Sequence, residues 1–420
     1  MTSSSPKVVV IGGGIMGISS AYFLAKGGAD VTLLEASHVG AGASTGNAGT
    51  IAVGHPPLNR PGRIAQAIRQ MLDPASPLYV PPRLDPKLWG WLAGFARYCT
   101  DDHVEHCMNV MAPLGHQALD AFREIFEEER IECEYQARGY YEVCATEAGL
   151  DTARHEAEII RAHGYDPEVV DGDEMLRREP AIGESVGGVF YRESASLDPA
   201  LFLTRLAKSA VARGVSIEEG ARVRSIRGSG GRVNGVEWSS EGVAHATDAD
   251  HVVLATGAYS RRLLRGWGRL LPVQPGKGYH RDIDIGPNGA PRLQQACVLA
   301  ESSVFCTPMD TVVRFAGTME FSGENDRLRP ERLQQLTTAA RARFPSMGTA
   351  RPRSQWCGLR PMSVDGLPIV GRVGGVDGLS VATGHGMLGL TLGPITGSLV
   401  ARDVLAQEPP PPELSPSRFD

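Results

Sequence analysis

Residues 7–11, Lys-Val-Val-Val-Ile, run directly into Gly12-Gly13-Gly14-Ile15-Met16-Gly17. A short β-branched run that ends in glycines reads as a fully buried parallel strand. After it, Ile18, Ala21, Tyr22 and Ala25 fall at helical spacing, and Asp30–Glu35 form a second buried run. Strand, glycine turn, helix, strand is a βαβ unit, and it confines the chain to the doubly wound α/β class. The three glycines do different work. Gly12 allows the tight turn, Gly14 lets backbone approach a pyrophosphate, and Gly17 lets helix and strand pack closely. The helix start, Ile15 and Met16, adds N–H groups and a positive dipole end for the phosphates. Glu35 ends the second strand, where a carboxylate holds ribose hydroxyls and disfavours a 2′-phosphate. The expected ligand is therefore FAD or NAD, not NADP.

Two further buried runs, at 251–255 and 379–382, have the same character. One dinucleotide-binding domain assembled from separated segments accounts for all four. The division expected is 1–55, 197–265 and 355–408 for that domain. Residues 56–196 and 266–354 form an α+β substrate domain, and 409–420 a Pro-rich extended tail. Within this frame 37–54 is a small-residue loop, of the long kind that usually has a function. Residues 56–86 are Pro-rich and irregular, 87–133 and 147–163 are helical, and Tyr140–Cys144 is a strand. A helix over 198–213 has Asp198 as N-cap and Pro199 at its first position. Short strands follow at 215–218, 222–227 and 235–239. Alternation over 278–321 implies an antiparallel sheet, and 329–344 a helix. Residues 378–401 contain no Asp, Glu, Lys or Arg and are long enough to cross a bilayer. Their glycines and Pro394 favour a strand, a loop and a buried helix.

Charge and cysteine content remove other classes. With 42 basic and 48 acidic residues the net charge is −6, which argues against nucleic-acid binding or a polybasic anchor. Seven cysteines without a CxxC fit a reducing compartment. Cys99, His103 and Cys107 share a helical spacing but lack a fourth ligand, so no metal is expected. The polar Met1–Pro6 start implies no secretory leader. The expected location is the cytoplasm, with peripheral contact at the inner face of the membrane.

The C-terminal third makes a resemblance specific. Gly358-Leu359-Arg360-Pro361-Met362-Ser363-Val364-Asp365-Gly366-Leu367-Pro368 is similar to the GLRPxTxDGxP segment of the D-amino acid oxidase/dehydrogenase superfamily. Thr383-Gly384-His385-Gly386-Met387-Leu388-Gly389 resembles that family's flavin loop. Residues 42–49 resemble its segment after the ribose carboxylate. Pro272–Tyr279 (PVQPGKGY) resembles the PVxPxKGY stretch of bacterial D-amino acid dehydrogenases. The resemblance implies non-covalent FAD. Its contacts would come from Gly12, Gly14, Ile15, Met16, Gly17, Glu35 and Ala36, and from Ala43, Ser44, Asn47, Ala48 and Gly49. Val223, Ala255, Thr256 and Gly257 would border the adenosine half, and Gly386, Met387, Leu388, Gly389 and Thr391 the flavin.

The same resemblance implies that Arg360 anchors the substrate carboxylate, a role for which a planar guanidinium supplies both charge and orientation. Tyr279 would add a hydroxyl to that carboxylate, or be a core tyrosine. Lys277 would stand near the flavin, or be a solvated strand-end lysine. His55, where the small-residue loop ends, would line the substrate pocket. In the similar sarcosine oxidases a cysteine attaches the flavin, and it aligns with Gly358, one residue from Cys357. The implied substrate is a D-amino acid or a cyclic D-imino acid, and the implied electron acceptor a quinone or respiratory carrier. An O2-using glycine/sarcosine-type oxidase and a partner-dependent FAD subunit remain open alternatives.

Overall fold

In the computed structural model, which describes residues 5–73, 75–284, 292–345 and 352–420, the four buried runs lie side by side. The strand order is Ile369–Arg372, Leu379–Thr383, His251–Leu254, Lys7–Ile11, Asp30–Leu34 and Ser216–Glu218. All neighbours are parallel except the first pair. Val8 stands between Val31 and His251, so segments more than two hundred residues apart share one ladder. The helices Ile15–Lys26 and Gly389–Ala406 pack against each other beside this sheet. Their closeness has a cause: a β-carbon on Gly397 would collide with the backbone of Ser19. The charge-free stretch at 378–401 is thus a strand, a loop and a buried helix, and no helix among the described residues is long and apolar enough to cross a membrane.

A second, larger sheet runs Pro352–Ser363, Val273–Asp284, Val312–Glu320, Val304–Pro308, Ala296–Leu299, Tyr140–Cys144, Gly187–Tyr191 and Pro167–Asp171. The segments within 278–321 pair antiparallel with one another, as their alternation implies, and the sheet turns parallel only where it joins strands outside that span. Ala296–Leu299 pairs in parallel with Tyr140–Cys144, and the short Leu78–Tyr79 strand pairs in parallel with Val312–Glu320. Those partners are distant in sequence, so no hairpin dictates their direction. The helix Pro330–Arg343 covers one face of this sheet, where Leu333 and Leu336 join Tyr279, Ile283 and Phe315 in a core. The other face turns toward the 42–55 loop.

Three readings change. The Pro-rich 56–86 segment holds a helix, Arg63–Gln70, with no buried residue, besides the Leu78–Tyr79 strand. The tail is not extended. It makes 3-10 turns at Pro412–Leu414 and Pro416–Phe419, buries Leu414, and places Arg418 on Asp365 in a bidentate pair (2.7 and 3.1 Å). The division drawn at 355 falls inside the Pro352–Ser363 strand, which belongs to the larger sheet. The start of the expected polar leader-free segment, residues 1–4, and parts of the 266–354 segment, 285–291 and 346–351, lie outside the described residues.

Candidate active site

A cavity of 1230 Å3 runs between the two sheets, from Gly12 past Arg360 to Glu142 and Glu156. Its first end is the glycine turn. Gly12 has φ +110°, and a β-carbon there would lie 2.6 Å from the Ala255 carbonyl oxygen. Gly17 does not touch the cavity; a β-carbon on it would collide with the Gly12 carbonyl, so its place is the helix–strand contact. The helix at Ile15 has no side-chain cap on its N-terminal residue Gly14, although Ser44 Oγ accepts from the Ile15 N–H at 2.9 Å. Glu35 follows the second strand, and its two oxygens accept from the N–H groups of Gly13 (2.6 Å) and Ser37 (2.9 Å). Of the expected cofactor residues, all but Gly17 and Gly49 line the cavity. Gly49, at φ +75°, instead turns the chain against the Leu197 carbonyl.

The 42–49 loop is fixed by residues that the sequence reading did not single out. Asp282 and Arg314 face each other across adjacent strands and pair through two bonds (2.8 and 3.1 Å). Arg314 also donates to the carbonyls of Thr45 (3.3 Å) and Asn47 (3.2 Å). His280 Nδ1 bonds the Gly46 carbonyl at 2.7 Å, and its ring stacks on Trp356. Trp356 covers Gly46 and Gly358 so closely that neither position has room for a β-carbon.

Arg360 lies opposite Gly276 on the neighbouring strand and bends over Gly278, where any side chain would strike its guanidinium. Nη1 donates to the Thr318 carbonyl at 2.7 Å. Burial pushes its pKa down to about 10, and Arg332 adds repulsion; no acid offsets these. It therefore stays charged at neutral pH, facing a cavity with no carboxylate partner among the described residues. Such a cation is stabilised by any anion that enters. Next to it, the Gly386 N–H donates to the Pro361 carbonyl (2.9 Å) and Met362 bridges His385. This ties the arginine strand to the loop that opens the Gly389–Ala406 helix, whose N-terminal residue Leu388 carries no side-chain cap. His385 is buried and bonds Thr396 at 2.9 Å.

Lys277 does not line the cavity with Arg360, and Tyr279 borders it while its hydroxyl turns to Glu320. Side chains alternate along a strand. Gly276 and Gly278 share the face of Arg360, so Lys277 and Tyr279 point to the opposite face, under the Pro330–Arg343 helix. There the Tyr279 hydroxyl donates to Glu320 at 2.7 Å. Lys277 is fully buried, 3.1 Å from Glu320, and donates to Asn325 (2.7 Å) and the Arg327 carbonyl (2.9 Å). The reading of Lys277 as a solvated strand end is corrected too: the lysine pins the 325–327 segment behind the sheet. Cys357 shares that face, its thiol on the Asp326 carbonyl at 3.2 Å. His55 does line the cavity, at its far end. It bonds Tyr140 and is neutral, since burial pushes it down to about 4. His103 bonds the Asp365 carbonyl at 2.7 Å and Cys107 at 3.2 Å, which fixes the turn after the arginine strand.

The chain matches the family DAO, FAD dependent oxidoreductase, over residues 7–402. It is 35% identical over 411 residues to the D-amino acid dehydrogenase of Methylobacterium nodulans, covering 96% of each chain. It is 32% identical over 416 residues to D-amino acid dehydrogenase 1 of Mesorhizobium japonicum, again covering 96% of each. Its fold is that of glycine oxidase from Geobacillus kaustophilus (TM-score 0.77, 23% identity, 99% of both chains). L-proline dehydrogenase from P. horikoshii is similar in the same sense (TM-score 0.75, 17% identity, 99% and 98% of the chains).

Proposed function

Because the chain belongs to the DAO family of FAD-dependent oxidoreductases, we propose that it dehydrogenates a D-amino acid, or a cyclic D-imino acid such as a proline derivative. The observation that carries the substrate class is Arg360: a half-buried guanidinium with no acid partner among the described residues, open to the cavity beside the loop at 386–389. The residues present fit FAD. Gly12 leaves no room for a side chain, the N-terminus of the Ile15 helix lacks a side-chain cap, and Glu35 stands at the end of the second strand. When bound, FAD supplies the two-electron oxidant that takes a hydride from the substrate Cα at N5.

The protein's part is binding and orientation. Arg360 holds the α-carboxylate through its free edge while Thr318 fixes the other, so the carboxylate is held in one plane. An acyclic imine product hydrolyses to the 2-oxo acid and ammonia after the hydride has left; a cyclic imine stays intact. The Gly389–Ala406 helix offers its positive end to negative charge gathering in the same cavity. Non-covalent FAD is supported by Cys357, whose thiol lies across the sheet from Arg360 and bonds Asp326. Acid precipitation of the purified protein should leave all flavin in the supernatant. Anaerobic titration with D-alanine, D-norleucine, D-proline and glycine should then bleach the flavin with at least one of the D-compounds. Bleaching by glycine alone would replace this reading with the glycine-oxidase one.

The electron acceptor we infer is a lipid-dissolved quinone. Residues 60–97 carry six basic and two acidic residues in a chain of net charge −6. They also expose Ile68, Leu72, Leu84 and Trp89, and Ile64, Ile68 and Trp89 border the cavity. An apolar rim set among cations suits an anionic membrane surface. The protein should sediment with vesicles containing anionic lipid and less with zwitterionic ones. Equal or absent sedimentation with both would remove the membrane acceptor, and rapid reoxidation by O2 alone would favour an oxidase.

A further inference from the structure

The end of the cavity opposite the glycine turn is polar, and the dehydrogenase reading gives it no role. Glu142 is central to it. The strands place it on the face of the larger sheet that carries Arg360. Glu142 is the register partner of Val298, Val298 of Phe305, Phe305 of Ala316, and Ala316 of His280. His280 in turn shares a strand face with Gly278 and Gly276, the residues under Arg360. Register partners in a sheet point the same way, so the two side chains look into one cavity from one wall.

The surroundings of Glu142 leave its charge unbalanced. Oε2 accepts the Tyr191 hydroxyl at 2.8 Å, and among the described residues nothing bonds Oε1. Arg60, the nearest cation, is spent on Glu156 at 2.6 Å, and Arg63 turns to Gln66 at 2.9 Å. His55 and Tyr140 bond each other and are neutral. Glu301, a further acid, adds repulsion. Burial first, then the Glu156 charge, push the Glu142 carboxyl up to about 7, against the lowering pull of Tyr191 and Arg60. This wall therefore holds two opposite groups, a guanidinium and a carboxyl group, with no ion pair to either among the described residues.

Their spacing sets a length. Arg360 is bonded to the Val312–Glu320 strand through Thr318, and Glu142 stands three strands further on. Three strand spacings are ~14 Å, and an ion-pair contact at each end leaves ~8 Å for the bound molecule. That is the span from the α-carboxylate to the terminal nitrogen of a side chain as long as that of lysine or arginine.

We propose that Glu142 is a second substrate anchor, selecting D-amino acids whose side chains end in an ammonium or guanidinium group. The inference rests on the amino acid reading above and deepens it. Glu142 touches no reacting atom in this arrangement; it fixes the far end of the substrate while Arg360 fixes the near end.

The test is anaerobic reduction kinetics with D-lysine, D-arginine and the uncharged D-norleucine, on wild type and Glu142→Gln. Wild type should prefer the basic substrates. In Glu142→Gln the kcat/KM ratio of D-lysine to D-norleucine should fall 10- to 100-fold, the order expected for one charge-assisted bond, and mostly through KM. The pH profile gives a second readout. The carboxylate holds the cation only when ionised, so wild-type preference for D-lysine over D-norleucine should be full above pH 7 and decline as pH falls through about 7. That decline should be missing from the Gln variant. Should Glu142→Gln fail to retain FAD, the wild-type pH dependence of this ratio decides alone. Bleaching by D-norleucine with no preference for the basic substrates, or a ratio untouched by pH and by the substitution, overturns the inference and leaves the dehydrogenase reading standing. Failure of all three compounds, together with the neutral panel above, overturns that reading and the inference with it.

Discussion

Arg360→Lys should lower kcat/KM for flavin reduction by about 30- to 1000-fold while FAD content stays at one per chain. Lysine keeps the charge but offers a single point where the guanidinium offers a planar edge. The lost charge-assisted bond costs ~2–3 kcal/mol, and a loosely held carboxylate leaves the Cα–H poorly aimed, which slows the hydride step itself. The geometry supplies an independent partner to this experiment. A β-carbon on Gly278 would strike the guanidinium, so Gly278→Ala should reproduce much of the defect with Arg360 intact. Stopped-flow reduction across substrate concentrations separates weak binding from a slow step. Wild-type kinetics in the lysine variant would remove Arg360 from the carboxylate, and wild-type kinetics in Gly278→Ala would show that the guanidinium does not need its present position.

Gly17→Ala should give a protein without flavin that melts well below wild type. The added methyl meets the Gly12 carbonyl, a backbone atom with nowhere to go, and Gly12 is itself held against the Ala255 carbonyl. Overpacking of this kind costs ~1–3 kcal/mol or more, and here it separates the first strand from its helix. Gly14→Ala makes the contrast. A β-carbon at Gly14 meets only Ser44 Oγ, at 3.1 Å, so the fold should survive while the backbone loses its close approach to the pyrophosphate. The expected pair of results is low Tm without FAD for Gly17→Ala, and near-normal Tm with weakened FAD for Gly14→Ala. Absorbance at the flavin band and thermal melts read both. Equal melting temperatures in the two variants would contradict the division of labour assigned to these glycines.

The parts of this molecule that were legible in sequence are those fixed by local backbone demands. Buried strands at 7–11 and 251–255 announce themselves by apolar content, Gly12 by the turn it allows and Gly17 by the close packing of helix on strand. Asp198 was readable as a cap because capping is local, and its side chain accepts from Ala200 and Leu201 (2.7 and 3.0 Å). What stayed hidden depends on register between distant strands. Asp282 and Arg314 are ordinary strand charges until they are known to face each other. A family motif assigns Tyr279 to the substrate carboxylate and Lys277 to the flavin, whereas the period of two along their strand turns the Tyr279 hydroxyl and Lys277 to Glu320 behind the sheet. Glu142 was one acid among forty-eight acidic residues, and only its place in a row with His280 puts it on the cavity wall that carries Arg360. The tail misled for another reason. Four prolines imply an extended chain, but Leu414 and Arg418 find an apolar seat and a buried carboxylate that no local pattern reveals.

The strand order of the first sheet also decides when this enzyme can become one. The strand at 7–11 leaves the ribosome first, yet its neighbour on one side arrives with residue 251, and the sheet is finished only after residue 379. Before residue 255 is made the glycine turn has no Ala255 carbonyl behind it, and before residue 406 the Gly389–Ala406 helix is incomplete. Cofactor capture is therefore an event of the finished chain, and it follows slow closure of contacts remote in sequence. In a cell making this protein faster than it makes FAD, the species that accumulates should be the complete chain without cofactor, its cleft open and apolar, the form most in need of a chaperone.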